Sequence, residues 1–234
     1  MKPKLYYSCI NKIAFDNFCS DAAIGARDED IETIGFEDIS EVPYDPYHIV
    51  VASVEDTLQY LGKEVNVIDH SWASKFLKRD FEQFESLKHI DQWPCFVKPA
   101  KDIKAFTGFV SDSYQMAMMM SYDYEGPVVR QKIINIESEY RVYISSLRGI
   151  LGVKHYLGDP YLTLDKDFVN ECFLESKKRL TENSYTLDFG VDDKGETFLI
   201  EVNDGWAIGN YGLEPKTYYH FVKNRFLQLT NVLK

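Results

Sequence analysis

The sequence predicts an α+β protein in which antiparallel hairpins follow a small α/β lobe. Two pairs of segments with strand alternation, in residues 139–156 and 185–203, predict the hairpins. A strand followed by a capped helix, in residues 48–62, predicts the α/β lobe. We therefore expect residues 1–90 to form an N-terminal lobe and residues 91–234 to form the remainder.

Composition limits the classes of function. The 234-residue chain is 45% apolar and 27% charged, which is a globular composition able to bury a sizeable core. Its net charge of −11 disfavours binding to nucleic-acid backbones, which requires clustered Lys and Arg. No apolar run approaches the roughly 20 residues of a membrane span, and no signal-peptide apolar region follows Met1. We expect a cytoplasmic protein with no nucleic-acid or membrane partner.

Local signals place the remaining elements. Residues 48–52 predict a strand, and Ser53 and Gly62 are the predicted first and last caps of the helix that follows. Residues 28–46 are acidic and turn-rich, and we interpret them as a connection with a short strand near residues 31–34. Further helices are predicted at residues 72–87, 111–122, 168–180 and 214–233, and a further strand at residues 127–134.

The hairpin in residues 185–203 brings two carboxylates together. For the apolar residues of both arms to reach one core, Asp188 must lie opposite Glu201 or one diagonal step away, depending on turn length. Asn203 falls on the same face. Facing carboxylates repel unless a proton or a cation lies between them, and oxygen ligands of this kind suit Mg²⁺. The alternative is a polar face exposed to solvent.

The preceding hairpin brings two cations together. Its apolar residues face inward, and Arg141 falls on the outward face. If residues 146–149 form the loop, Ser145 pairs with Ile150 and Arg141 lies opposite Lys154. A bound anion would relieve this repulsion, since Arg forms a fork for phosphate oxygens and Lys supplies a point charge. The alternative is that Arg141 pairs with a glutamate of its own strand and Lys154 points to water.

A third basic segment follows a short strand. Pro94 and Pro99 bracket that strand, with Lys98 at its exit. The loop at residues 100–108 contains small and basic residues, including Lys104, that can hold phosphates. A loop exposed to solvent is the alternative interpretation.

An ordered set of motifs resembles a known family. The motifs are VKP with Lys98, KAFTG with Lys104, EYRVYI with Glu139 and Arg141, GVKHY with Lys154, LDFGVD with Asp188, and IEVNDGWAIGNYG with Glu201 and Asn203. Over residues 93–213 they resemble the ATP-grasp superfamily. Within it, the set is similar to the divergent arginine-to-lysine clade, which includes bacterial and phage members and the eukaryotic protein that assembles a translation initiation factor. The resemblance implies the ATP-grasp fold, with two antiparallel-sheet lobes clasping MgATP.

The resemblance also implies cofactors and residue roles. ATP and Mg²⁺ are the expected cofactors. The implied contacts are the α- and β-phosphates for Lys98 and Lys104, the β- and γ-phosphates for Arg141 and Lys154, the adenine base for Gln131, Lys132, Ile133 and Ile134, the ribose for Glu139, and Mg²⁺ for Asp188, Glu201 and Asn203. Many relatives carry an arginine two residues before the first metal-binding acid, where this chain has Thr186. We therefore assign stabilisation of the transferring phosphoryl group to Lys154.

The chemistry that the resemblance implies is ATP-dependent joining of a carboxylate to an amine through an acylphosphate. The acceptor is a small molecule, a peptide or a protein, and the clade favours a peptide or protein. Residues 204–206 and 209–212 follow the metal ligands and are expected to shape the acceptor pocket, or else to form a structural turn in which Trp206 is packing. Two other functions remain: a nucleotide-binding assembly factor without transfer chemistry, and a kinase.

Overall fold

The computed structural model describes residues 3–66, 68, 71–78, 82–100 and 105–233. The chain divides into two compact units, of which one joins Met1–Ser74 to Glu137–Lys234 and the other is Lys75–Ile136. These units do not coincide with residues 1–90 and 91–234, because the last helix of the chain packs on the first helix. The lobe boundary at residue 90 stays a prediction. No helix in the described ranges is long and apolar enough to cross a membrane.

The N-terminal part of the first unit is a four-stranded sheet with two helices. The elements are β1 (Lys4–Ile10), β2 (Ile13–Ala14), α1 (Asn17–Arg27), β3 (Glu32–Phe36), β4 (Ile49–Val51) and α2 (Val54–Leu61). Strand β1 pairs in parallel with β3 and β4 and antiparallel with β2.

The predicted caps of α2 are confirmed. The Ser53 side chain accepts a hydrogen bond from the backbone N–H of Asp56, and Gly62 ends the helix with a left-handed φ of 61°. The strand predicted near residues 31–34 is present as β3. Helix α1 has no counterpart in the sequence analysis, although Asp16 caps it and its small residues Ala22 and Ala26 are fully buried.

The elements of the second unit are β5 (Glu82–Phe84), β6 (Cys95–Pro99), β7 (Phe109–Ser111), α3 (Tyr114–Met120) and β8 (Val128–Gln131). Its strands form a four-stranded sheet in the order β5-β8-β6-β7. The predicted helix at residues 72–87 is wrong. Ser71–Phe76 is a 3₁₀ helix, and β5 pairs with β8, so pairing within the sheet overrides the local helical periodicity.

The rest of the first unit contains the strands β9 (Ile136–Ser145), β10 (Gly149–Gly158), β11 (Ser184–Asp192) and β12 (Thr197–Asp204) and the helices α4 (Lys166–Arg179) and α5 (Pro215–Leu229). These strands form another four-stranded sheet, in the order β10-β9-β11-β12. These elements confirm both predicted hairpins and the two predicted C-terminal helices.

Both faces of β11 are covered, and all nine of its residues are buried. On one face, Phe189 packs on Phe168 of α4, and the Tyr185 hydroxyl shares a hydrogen bond of 2.8 Å with Ser176. On the other face lie Thr186 and Asp188, which are 0% and 1% exposed. The alternative of a polar face open to solvent is therefore wrong for β11, whereas Glu201 and Asn203, on the same face of β12, are half-buried.

Candidate functional site

Asp188 and Glu201 lie directly opposite each other on β11 and β12. The register next to the turn would by itself place Asp188 opposite Ile200. An irregularity between Asp188 and Phe189 leaves Ile200 as an extra residue on β12 and restores the direct pairing. The sequence prediction that the two carboxylates are neighbours is confirmed.

Arg141 of the adjacent strand β9 holds Asp188. Arg141 Nε donates to Oδ1 at 2.9 Å, and Nη2 donates to Oδ2 at 2.7 Å. Arg141 is 6% exposed and Asp188 1%, so the two charges neutralise each other out of contact with water. The expected orientation of Arg141 toward solvent and its possible pairing with a glutamate of β9 are both wrong, because β11 places an acid beside it.

Asn203 joins the two carboxylates. Its Nδ2 donates to Glu201 Oε1 at 2.9 Å and lies 3.3 Å from Asp188 Oδ2. The amide therefore presents its nitrogen to both acids in this arrangement. A half-turn about the terminal torsion would present Oδ1 at the same position. The three side chains that were expected to bind a metal ion thus meet at one point.

Burial and pairing set the protonation of this cluster. Burial raises the pKa of the Asp188 carboxyl to about 6, against the opposing effect of the Arg141 hydrogen bonds. Burial acts to lower the pKa of Arg141, but the hydrogen bonds and charge of Asp188 outweigh it and raise that pKa. Burial raises the pKa of Tyr143 to about 12 and, with the charge of Asp188, also raises the pKa of Tyr156. At neutral pH the tyrosines are therefore uncharged donors beside an ionised Arg–Asp pair.

Lys154 of β10 lies directly opposite Arg141, as predicted from an assumed loop at residues 146–149. The predicted pairing of Ser145 with Ile150 is wrong, because the loop is one residue shorter and Ser145 pairs with Gly149. An irregularity between Ile150 and Gly152 then restores the register. Lys154 is half-buried and forms no ion pair with any residue in the described ranges, which leaves its charge available to an anion.

The loop at residues 209–212 is attached to the same strands. Arg141 Nη1 donates to the Gly209 carbonyl at 3.2 Å, and the Tyr143 hydroxyl donates to the same carbonyl at 3.0 Å. The backbone N–H of Tyr211 in turn donates to the Tyr143 hydroxyl at 3.0 Å. Arg141 therefore contacts both Asp188, one of the proposed metal ligands, and the loop that was expected to shape the acceptor pocket.

Two stacked tyrosines border Arg141. The rings of Tyr156 and Tyr211 are 4.5 Å apart at 17°, and the Arg141 guanidinium carbon lies 4.7 Å from the Tyr211 centroid. The Tyr156 hydroxyl donates to Glu139 at 2.6 Å, which orients the residue that was expected to contact ribose. Sequence reasoning gave no role to Tyr156 and placed Tyr211 only within the loop expected to shape the acceptor pocket. It did not predict their stacking, because this contact joins β10 to a distant loop.

The segment at residues 204–206 contributes to packing. Arg225 of α5 binds Asp204 through two hydrogen bonds of 2.5 and 2.7 Å, and burial raises the pKa of Asp204 against this pairing. Trp206 is partly buried against the main core. Residues 204–206 therefore pack as in the alternative of a structural turn. The loop at residues 209–212 is the better candidate for an acceptor pocket.

The remaining predicted nucleotide residues belong to the second unit. Lys98 lies on β6, pairs with Val129 and is half-buried. Gln131 ends β8 and is 4% exposed. The rest of the predicted adenine hinge, Lys132, Ile133 and Ile134, follows β8 without regular structure, with the first two residues exposed. Lys104 lies outside the described residues.

The donor set of the cluster fits a magnesium ion. Two carboxylates and one amide supply hard oxygen atoms, and Mg²⁺ keeps water and phosphate oxygens as its other ligands. Within the described ranges no group of three or more His, Cys, Asp and Glu side chains is arranged for a metal ion. A cation at Asp188 would share that carboxylate with Arg141 and would therefore weaken the Arg141 hydrogen bonds.

Comparison with protein families gives one match over most of the chain. The family model described as ATP-grasp domain, R2K clade family 2, matches residues 76–221. A search of curated protein sequences finds no match.

Solved structures share the fold at low identity. An L-amino acid ligase from Bacillus licheniformis has a TM-score of 0.60 and 14% identity, over 97% of this chain and 74% of that one. A D-alanine–D-alanine ligase from Bacillus anthracis, complexed with ATP, has a TM-score of 0.56 and 12% identity, over 100% of this chain and 99% of that one. A RimK domain ATP-grasp protein from Sphaerobacter thermophilus has a TM-score of 0.58 and 10% identity, over 98% and 99%. At these identities the likeness concerns the fold.

Proposed function

Because this chain belongs to the R2K clade of the ATP-grasp family, we propose that it is a MgATP-dependent ligase that joins a carboxylate to an amine through an acylphosphate. The observation that supports this most is the meeting of Asp188, Glu201 and Asn203 beside Arg141, with Lys154 directly opposite Arg141. The acceptor that we propose is a peptide or a protein.

Each residue of the cluster has a proposed task. Asp188, Glu201 and Asn203 hold Mg²⁺, which would screen the negative charge of the phosphates. Arg141 and Lys154 bind the terminal phosphate oxygens, the first as a fork and the second as a point charge. Glu139, oriented by Tyr156, accepts hydrogen bonds from the ribose. We further assign Lys98 and Lys104 to the α- and β-phosphates, and Gln131, Lys132, Ile133 and Ile134 to the adenine.

The proposed reaction needs positioning and charge neutralisation rather than a protein nucleophile. An oxygen of the substrate carboxylate attacks the γ-phosphorus, and the bond to the bridging oxygen breaks to release ADP. Lys154 neutralises charge on the transferring group, since this chain has Thr186 where many relatives carry an arginine. The nitrogen of the amine then attacks the acyl carbon, phosphate leaves, and the amine proton passes to solvent or buffer.

A turnover assay tests this proposal. The protein is incubated with ATP, Mg²⁺ and pairs of candidate carboxylates and amines, including short peptides, and ADP and phosphate are measured together with the mass of the acceptor. We expect ADP and phosphate in equal amounts only when both substrates are present. The matched control is Lys154→Met, which should lose turnover and keep its melting temperature, since no ion pair is broken among the described residues.

Other outcomes identify the other functions. A stable phosphorylated acceptor without need for an amine would indicate a kinase. Tight MgATP binding with no turnover on any acceptor would favour an assembly factor that uses nucleotide to fix a conformation. Either result would overturn the ligase proposal.

A further inference from the structure

The hairpin of β1 and β2 has an apolar face that is open to solvent. Ile10 lies directly opposite Ile13, and the backbone N–H of Phe15 continues the ladder to Ser8 at 2.9 Å, so Ile10, Ile13 and Phe15 share one face. These side chains are 56%, 73% and 55% exposed. On the opposite face Cys9 is buried, so this hairpin is apolar on both sides.

Such a face is unusual for a polypeptide that is otherwise acidic. Three adjoining large apolar side chains form a patch on the order of the few hundred Å² that marks interaction sites on monomers. The turn residues Asn11 and Lys12 have φ values of 52° and 65°, as in the two-residue turns that fix a hairpin's register. The exposed face is therefore a built feature of the hairpin, since a slip by one residue would bury it.

Acidic side chains leave the sheet at the same edge. β3 runs parallel to β1 with Phe36 opposite Ser8, so Glu37 and the residues after it emerge beside the hairpin. Glu37 and Glu41 are exposed and form no ion pair with any described residue. With Asp38, which is also exposed, three acidic side chains follow the end of β3. The apolar face is thus bordered by negative charge.

The hairpin is also connected to the candidate site. Helix α1 begins directly after it, and Asp21, about 8 Å along that helix from its cap, accepts a hydrogen bond of 2.7 Å from Asn210. Asn210 neighbours Gly209, whose carbonyl contacts Arg141. A polypeptide lying on the hairpin would therefore be near the loop that borders the cluster.

We infer that the face formed by Ile10, Ile13 and Phe15 docks a polypeptide segment with apolar and basic side chains, and that this segment belongs to the acceptor. This inference rests on the proposed ligase function. A second copy of this chain fits poorly, because two bodies with a net charge of −11 repel and the patch is far smaller than the roughly 1,200 Å² of a stable interface. A basic partner is attracted by the same charge.

The test uses a fluorescent 12-residue peptide of alternating Leu and Lys, and a matched peptide with Glu in place of Lys. Anisotropy is measured on the full chain without nucleotide. We expect the Lys peptide to bind, with at least tenfold weaker affinity in Ile13→Ser and in Phe15→Ser. Leu147→Ser, which changes a side chain that is 87% exposed in a different turn, should stay within twofold of the unmodified chain. Melting curves verify that each variant is folded.

Three results would overturn the inference. They are equal binding of the Glu peptide, unchanged affinity in both hairpin variants, and a dimer of the unmodified chain that Ile13→Ser dissociates. MgATP affinity is measured separately on the same proteins. Failure of the unmodified chain to bind MgATP would refute the ligase proposal. The peptide measurement alone tests whether the hairpin face docks a polypeptide.

Discussion

Arg141 on β9 and Asp188 on the neighbouring strand β11 are joined by two hydrogen bonds of 2.9 and 2.7 Å. This pair links the proposed phosphate-binding strand to the proposed metal-binding strand. Because the same guanidinium also contacts the Gly209 carbonyl, one side chain touches all three parts of the candidate site. A cation at Asp188 would compete with Arg141, so metal binding and the freedom of Arg141 to reach a phosphate are coupled.

A double-mutant cycle measures this pair. Arg141→Met or Asp188→Leu alone leaves one buried charge without its partner, and each should lower the free energy of unfolding by about 3–5 kcal/mol. The double variant removes both charges and should cost less than either single variant. Urea unfolding without Mg²⁺ and nucleotide gives the coupling energy. Additive effects would show that the two side chains do not depend on each other.

The buried hydroxyl of Thr186 should lower the free energy of unfolding of the unliganded protein. Its side chain is 0% exposed, and its hydroxyl has no hydrogen-bond partner among the described residues. We expect Thr186→Val, which keeps the shape, to raise the free energy of unfolding by about 1 kcal/mol. Ser184→Ala, on the same strand with an equally buried and unpartnered hydroxyl, should act in the same direction.

Thr57 is the matched control for that experiment. Its hydroxyl donates to the Ser53 carbonyl at 2.7 Å, so Thr57→Val should destabilise the protein by about 1 kcal/mol. If Thr186→Val were destabilising by as much as Thr57→Val, the Thr186 hydroxyl would have a partner and this account of the strand would be wrong.

Asp204 should affect stability and leave nucleotide binding unchanged. Asp204→Asn weakens the support of the buried Arg225 guanidinium and should cost about 2–3 kcal/mol, which corresponds to a melting temperature lower by about 4–12 °C. The affinity of the folded variant for MgATP should stay within about twofold of the unmodified chain. A large loss of affinity at an unchanged melting temperature would instead place Asp204 in the binding site.

The four cysteines should react only after unfolding. All are buried, and burial raises the pKa of the Cys19 thiol to about 12, although backbone hydrogen bonds lower it. Burial shields all four thiols from the reagent, and the raised pKa also keeps the Cys19 thiol protonated. Raising the pH from 7 to 9 should therefore speed labelling in urea, where thiols titrate near pH 8.5, and should not speed it in the folded protein. Rapid labelling of any thiol in the native state would contradict the described packing.

Local patterns in the sequence predicted the pairs within each hairpin. Alternation predicted that Asp188 and Glu201 are neighbours on one face and, with an assumed loop at residues 146–149, that Arg141 lies opposite Lys154, because opposite residues of paired strands share a face. It did not predict the exact loop lengths, since an extra residue within a strand can compensate for a change in the loop. Ile200 has this role in β12.

Contacts between distant segments could not be predicted in this way. The Arg141–Asp188 pair depends on β9 lying beside β11, which is a property of sheet order rather than of local spacing. The pairing of β5 with β8 similarly turned a predicted helix into a strand. Helix α1 did carry a local signal, because Asp16 is a good N-cap before a run of small residues, and this signal was missed.

Nucleotide affinity with and without Mg²⁺, measured by calorimetry on the unmodified chain and on Glu201→Gln, tests the central claim most directly. Glu201 is bonded only to Asn203 among the described residues, so this change should leave the melting temperature within about 2 °C, the shift that corresponds to about 0.5–1 kcal/mol. We predict that Mg²⁺ strengthens ATP binding to the unmodified chain. The factor by which Mg²⁺ raises ATP affinity should be at least tenfold smaller in Glu201→Gln. Equal Mg²⁺-dependent affinity in both proteins would contradict the proposed metal and nucleotide site.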